Sequence, residues 1–166
     1  FIGVTYDPVL DNRIEYVHEQ TEIDEGVFIM PDIPVRFPDD THFGHLQVKN
    51  GNELVEDNFE DELYLAVTQN RHLSVISSCS HRGIINIMEA ARAHFPLPVH
   101  TILGGFHIRV CLDNQLETLV KYFREISPKA IGICHCTGVE KYAWLQKHLG
   151  DKVFYNYTGK TVDINP

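Results

Sequence analysis

Three histidines, His81, His107 and His135, each close an apolar, strand-like run, in SVISSCSH, HTILGGFH and AIGICHCTG, at spacings of 26 and then 28 residues. Neutral imidazole is the commonest protein ligand for zinc and similar metals, and three protein ligands with one open position are the usual form of a catalytic zinc site. Should the three rings converge, the chemistry is that of a metal-dependent, hydrolase-like centre. A histidine at a strand end is otherwise a polar cap hydrogen-bonded to a loop, and with ten histidines in the chain that reading stays open for each of them. What sets these three apart is a common slot flanked by Gly, Ser or Thr. His107, between Phe106 and Ile108, is equally readable as a hydrogen-bonded core imidazole.

The residues around each histidine favour tight turns. In CSHRG a strand ends at Cys79, Ser80 and His81 turn, and Arg82-Gly83 open a helix, whose N-terminal N–H groups can bind an anion or a developing oxyanion. HCTG repeats the device, with Thr137 as a plausible N-cap and Gly138 permitting close approach, so Thr137 and Gly138 are candidate contacts for an anionic substrate group. Gly104 and Gly105 mark a bulge or a close approach of another backbone.

Other polar clusters have simpler explanations. Glu56, Asp57, Glu60, Asp61 and Glu62 read mostly as solvated loop charges, and the Pro- and Asp-rich loop holding Asp39, Asp40, His42 and His45 needs no metal to explain it. Cys79 and Cys134 lie in apolar runs, where a cysteine behaves as a small buried hydrophobe. Cys136 is a soft metal ligand or a small residue in a crowded turn, and the second reading is preferred. Neither number nor spacing of the four cysteines matches a zinc knuckle or a secreted disulfide framework, which favours a reduced, cytoplasmic setting. No Gly-x-Ser-x-Gly elbow, Walker loop or Gly-x-Gly-x-x-Gly fingerprint occurs, so serine hydrolases, nucleotide hydrolases and Rossmann dehydrogenases lose support.

Each histidine-tipped run is followed by a helical pattern, giving strand, turn, helix three times: an α/β order whose crossovers gather strand ends on one edge of a sheet. The helices are predicted over IINIMEAARAHF, stopped by Pro96 and Pro98; from about 114 to 126, with Leu116, Leu119, Val120 and Phe123 on one face; and over VEKYAWLQKHL, ended by Gly150. Before them, prolines preclude long helices. FIGVTY and GVFIMP read as short extended pieces, the second as an edge strand, HLQVKNGNELVED as a hairpin about Asn50-Gly51, and LYLAVT and LSVISS as successive strands. The tail VFYNYTGKTVDI reads as a final hairpin.

At 166 residues, one domain over 1–166 is the expectation, and 43% apolar residues suffice for a core. A net charge of −9 without Lys and Arg clusters argues against nucleic acid as a partner. No apolar run approaches the roughly 20 residues that span a bilayer, so no membrane partner is expected. Phe1 and the abrupt alternation after it read as an interior start.

Taken together, CSHRGIINI, LGGFHI and HCTG, in this order and spacing, resemble the C-terminal half of the metallo-β-lactamase fold superfamily, and more narrowly the branch of dihydropterin aminobenzene phosphate synthase-like proteins. The resemblance covers about residues 20 to 160. It implies an αββα sandwich of which this chain holds only the C-terminal portion, with His81 and His135 as ligands of a one- or two-metal centre and His107 where related enzymes place a bridging Asp. Zinc is the implied metal, with iron or manganese as alternatives. The superfamily's H-x-H-x-D-H motif is absent from these residues, and FEDEL stands where an Asp-Asp-Gln-Ala-Leu-like stretch is usual. A half-sandwich alone leaves one sheet face wet, at roughly 25 cal/mol per Å² of apolar surface. The expectation is therefore a metal-dependent hydrolase-like enzyme, or a pterin-type group transferase, acting on a small, phosphate-bearing substrate. Its missing N-terminal half would be supplied in cis or by another chain. The alternative is a non-catalytic partner subunit or ligand-binding half of a split fold.

Overall fold

In the computed structural model, residues 8–44 and 46–165 are described. The predicted strand at FIGVTY, and His45, lie outside them. The described residues form a seven-stranded sheet in the order β1-β2-β5-β6-β7-β8-β9 and a separate two-stranded hairpin, β3-β4. The first half of the sheet is antiparallel: β1 (Thr21–Asp24), β2 (Val27–Met30), β5 (Tyr64–Gln69) and β6 (His72–Ser77). From β6 onward the pairing is parallel, through β7 (Val99–Gly104), β8 (Ala130–Ile133) and β9 (Val153–Tyr155). A parallel neighbour needs a crossover, and the helices α1 (Ile84–His94), α2 (Asp113–Ile126) and α3 (Val139–Leu149) supply the three required.

Local chemistry explains most boundaries. Asn70 and Arg71 both take positive φ, 48° and 63°, the two-residue turn whose twist suits a hairpin, and they join β5 to β6. The β3 (Gln47–Asn50) to β4 (Glu53–Glu56) hairpin forms as expected, but Asn50 pairs with Glu53, so the turn residues are Gly51-Asn52 rather than Asn50-Gly51. Gly150, φ 77°, ends α3. Two expectations need correction. β2 is an inner strand, because the polar segment Thr21–Asp24 pairs outside it; β1 is mostly exposed, and its alternation was too weak to read. Among the described residues the tail forms no hairpin: β9 pairs in parallel with β8, and a turn then brings Lys160 over the Phe154 ring, 4.3 Å from its centroid, with no returning strand.

The sheet's two faces differ sharply. One cross-strand row, Ala66, Val75, Ile102, Ile131 and Val153, is buried against the helices. α1 is buried almost all round, including Ile85 and Asn86, because the 33–40 segment covers it from outside; the Asn86 side chain accepts the N–H groups of Arg36 (2.9 Å) and Phe37 (2.8 Å). α2 presents Leu116, Leu119, Val120 and Phe123 to the core, the face its spacing predicts. The alternate row, Ile29, Leu65, Ile76, Leu103, Gly132 and Phe154, lies on the opposite face, and none of these residues joins the core cluster. Ile29, Leu65, Ile76 and Phe154 are only half-buried there.

The helix layer is closed by Phe106 and Phe123, both fully buried with ring centroids 5.8 Å apart. Phe123→Ala is expected to destabilise the chain by about 3–5 kcal/mol, read as a lowered urea midpoint with an unchanged slope.

Candidate metal centre

The parallel strands β6, β7 and β8 all end on one edge of the sheet, and their turns place His81, His107 and His135 side by side. Buried hydroxyls and backbone groups stitch these turns together. Ser80 Oγ donates to the Gly105 carbonyl (2.8 Å), Gly105 N–H to the Ser78 carbonyl (3.0 Å), and Cys134 N–H to the Gly104 carbonyl (3.0 Å). Phe106 N–H donates to Thr137 Oγ1 (3.0 Å). Ser80, His107 and His135 adopt positive φ, 58°, 49° and 22°, each costing on the order of 1–3 kcal/mol in a non-glycine residue. Gly105 must lack a side chain: a Cβ there would strike Cys136 Sγ and the His135 ring.

The His81 and His107 rings lie 4.0 Å apart between centroids. His81 Nδ1 faces the His42 carbonyl at 3.1 Å, and only a ring N–H can bond there, so Nε2 keeps its lone pair. The FEDEL stretch braces this residue from two sides: Phe59 stacks flat on its ring, 3.9 Å away with 2° between planes, and Glu62 accepts the amides of His81 (2.7 Å) and Arg82 (2.8 Å). Cys79 Sγ, His81 and His107 bring one ligand atom each within 4.8 Å of one another.

His135 sits farther along the edge. Cys79 Sγ lies 3.0 Å from its Nε2 and Cys134 Sγ 3.1 Å from its Nδ1. Cys79, His135 and Cys136 make a second group of ligand atoms within 4.8 Å, so the two groups share Cys79. The three predicted histidines thus come to one edge, divided between two ligand groups. The reading of Cys79 and Cys134 as buried hydrophobes is overturned; both are half-exposed with their sulfurs against His135, because the strand ends before them and turns the thiols outward. Burial, then the neighbouring Cys79, pushes the Cys136 thiol up to about 12.

Two further corrections concern anion binding. Thr137 is not an N-cap: it is 1% exposed, its hydroxyl is taken by Phe106, and Gly138 (φ 81°) stands at the start of α3. At α1 the N-terminal amides are already served from within the chain, since Asp40 Oδ2 accepts Ile85 N–H at 2.7 Å.

His42, in the sequence one of a possible ligand cluster with Asp39, Asp40 and His45 that a Pro- and Asp-rich loop explains without a metal, adjoins the site. Its N–H donates to the His81 carbonyl (2.7 Å) and its ring lies 6.4 Å from that of His107. His42 Nε2 and His107 Nδ1 are buried without a hydrogen-bond partner. Burial first, then the charges of His107 and His81, lowers the His42 pKa to about 4. Burial likewise lowers that of His107, helped by His81. Both rings are therefore neutral at pH 7, the state in which imidazole binds a metal. Behind His42 a cavity of about 210 Å³ opens between the 36–42 segment and α2, lined by Phe37, Asp40, Ile85, Cys111 and Leu116. No signal in the sequence joins His42, Phe59 or Glu62 to His81, since the link is spatial. A cluster of neutral imidazoles and thiols with unpartnered nitrogens fits a borderline cation such as zinc.

A mixed sheet of this order, with helices on one face and histidines gathered at its parallel edge, has the metallo-β-lactamase fold, and the known proteins similar to the chain support that likeness. The crystal structure of a metal-dependent hydrolase of the β-lactamase superfamily superposes with a TM-score of 0.82 at 30% identity, over 90% of this chain and 58% of the other. The chain is also similar to the 7,8-dihydropterin-6-methyl-4-(β-D-ribofuranosyl)-aminobenzene-5'-phosphate synthase of Methanocaldococcus jannaschii. That match is 29% identical over 118 residues, 68% of this chain and 40% of the relative. An uncharacterized protein of the same organism is 26% identical over 155 residues, 91% of this chain and 55% of its own. No protein-family model matches. The resemblance carried by CSHRGIINI, LGGFHI and HCTG is borne out for superfamily and branch. The chain spans about half the length of the curated relatives it matches. Among the described residues, no helix is long and apolar enough to cross a membrane.

Asp40 gives a test of how the site is framed. Burial raises its pKa from 3.8 to about 7, against the lowering effect of the Ile85 and Asn86 amides. A carboxyl raised in the folded state contributes stability that is full below about 3.8 and lost as pH climbs through about 7. Stability should therefore fall across that window by up to about 4 kcal/mol, and Asp40→Asn should flatten the slope in urea titrations taken from pH 4 to 8.

Proposed function

We propose that these residues are the C-terminal portion of a metal-dependent enzyme that acts on a small, phosphate-bearing substrate. The observation that carries the reading is the pairing of His81 and His107 beside Cys79 at the parallel strand edge, with His107 Nδ1 and His42 Nε2 buried and unpartnered. His81 Nε2 and His107 would hold one cation and His135, in the neighbouring ligand group, a second, zinc before iron or manganese. When bound, such an ion lowers the pKa of a water or polarises a phosphoryl oxygen.

The chain's own residues prepare that centre. The His42 carbonyl fixes the His81 tautomer, Phe59 fixes the ring plane, and Glu62 holds the turn that carries it. Gly138, at the start of α3 with the Arg109 side chain alongside, would position the substrate's anionic group. Thr137 would contribute indirectly, by holding Phe106 and hence the backbone of His107. The names of the relatives support both hydrolysis and group transfer; we take hydrolysis as the working reaction. Four unpaired cysteines suit a reducing, cytoplasmic setting. The half-buried row Ile29, Leu65, Ile76 and Phe154 is where the rest of a sandwich would dock, in cis or from another chain.

The test is elemental analysis with an assay on the protein in its native assembly, using phosphomonoester and phosphodiester substrates. One to two equivalents of zinc, iron or manganese with phosphate-ester turnover are expected, and His81→Ala should lower metal affinity about 10–100-fold or more and abolish turnover. A metal-free protein that turns over none of these esters would overturn the reading. A non-catalytic half of a split fold would then be the better account, which the uncovered sheet face also favours.

A further inference from the structure

Three thiols and an imidazole crowd the outer end of the site, and the roles so far assigned use only His135 among them. We infer that Cys79, His135 and Cys136 form a thiolate-bearing metal site of their own, joined to the His81–His107 pair through Cys79. This rests on the metal-dependent reading above and deepens it, because it assigns sulfur to the ligand set and so restricts the cation to zinc or a softer ion.

The geometry supports it in four ways. The ligand atoms of Cys79, His135 and Cys136 already lie within 4.8 Å of one another. A tetrahedral zinc with sulfur at about 2.3 Å and nitrogen at about 2.0 Å needs them roughly 3.3–3.8 Å apart, so the side chains would adjust on binding, the Cys79–His135 pair moving slightly apart. Cys79 Sγ is 3.0 Å from His135 Nε2. Cys134 Sγ lies on the other ring nitrogen at 3.1 Å, in the place where an outer partner orients a ligating imidazole. Finally, the room for the group is kept by Gly105, where a Cβ would collide with both Cys136 Sγ and the His135 ring.

Backbone contacts fix where the two cysteines stand. His107 N–H donates to Cys136 Sγ at 3.2 Å, and the Cys136 thiol reaches the Cys79 carbonyl at 3.6 Å. Cys136 is thus tied to the backbone of both neighbouring turns, which a residue chosen only for small size would not require. Thiolate with imidazole selects zinc and softer ions over manganese or magnesium, whose preference is for oxygen. This placement favours a soft ligand at Cys136 over a residue that only fills a crowded turn.

The test loads the reduced, full-length protein with cobalt(II) and reads the near-ultraviolet sulfur-to-cobalt charge-transfer band. The band should be present, lose about half its intensity or more in Cys136→Ser, vanish in the Cys79→Ser, Cys136→Ser double variant, and survive in His81→Ala. Cobalt bound without the band, or a band indifferent to both cysteine substitutions, would overturn this inference while leaving the metal-dependent reading intact. Failure to bind cobalt at all would overturn both. Should the cysteine variants not fold, zinc-edge X-ray absorption on the unaltered protein decides: sulfur at about 2.3 Å in the zinc shell is expected, and a shell of nitrogen and oxygen alone is the contrary result.

Discussion

The structure depends on the stitching of three strand-end turns to one another. Strands that stop at a sheet edge leave backbone groups without ladder partners, and inside a protein each such group needs another. Here the turns satisfy one another. Ser80 reaches the carbonyl of Gly105, Gly105 the carbonyl of Ser78, and Thr137 takes the amide of Phe106. Ser80 and Thr137 are buried, so no water competes for these bonds, and each fixes the backbone on which a histidine rides. The separation of the imidazoles is therefore set by main-chain contacts rather than by the rings themselves.

Such an edge tolerates strain. Positive φ at Ser80, His107 and His135 is unfavourable for residues with a Cβ, and persists only where the surroundings over-determine the conformation. The sheet beneath provides that: β6, β7 and β8 carry the fully buried Val75, Ile102 and Ile131 against α1, α2 and α3. The strain and the rigidity fall on adjacent residues. Chemistry-bearing side chains sit on bent turns, and the core beneath them is close-packed. A similar economy governs α1, whose first amides are served by Asp40 from the preceding segment, removing an anion site that the helix would otherwise offer.

The centre is notable for neutrality. His42 and His107 are held below the usual imidazole range by burial, and Cys136 well above the usual thiol range for the same reason. Among the described residues no carboxylate joins either ligand group, and Glu62 is occupied with the amides of His81 and Arg82. A divalent ion at Cys136 would itself have to stabilise the thiolate that forms there. The chain in this respect departs from a carboxylate-rich site.

Periodicity and turn chemistry determined much of this protein without tertiary information. The helical faces at Leu116–Phe123, the βαβ order, the parallel edge and the arrival of His81, His107 and His135 on it all follow from local spacing, because a crossover returns a strand in one direction and its end to one side. Residue types likewise marked Gly105 and Gly138 as places of close approach. What the sequence could not decide is contact between segments far apart in the chain. Phe59 stacks on His81 across 22 residues, His42 across 39, and the sulfur of Cys79 meets His135 across 56. Nothing local distinguishes these residues from ordinary loop and core positions. Sheet order and register alone bring them together, and so only the tertiary structure separated three aligned histidines into a centre with imidazole at one end and sulfur at the other.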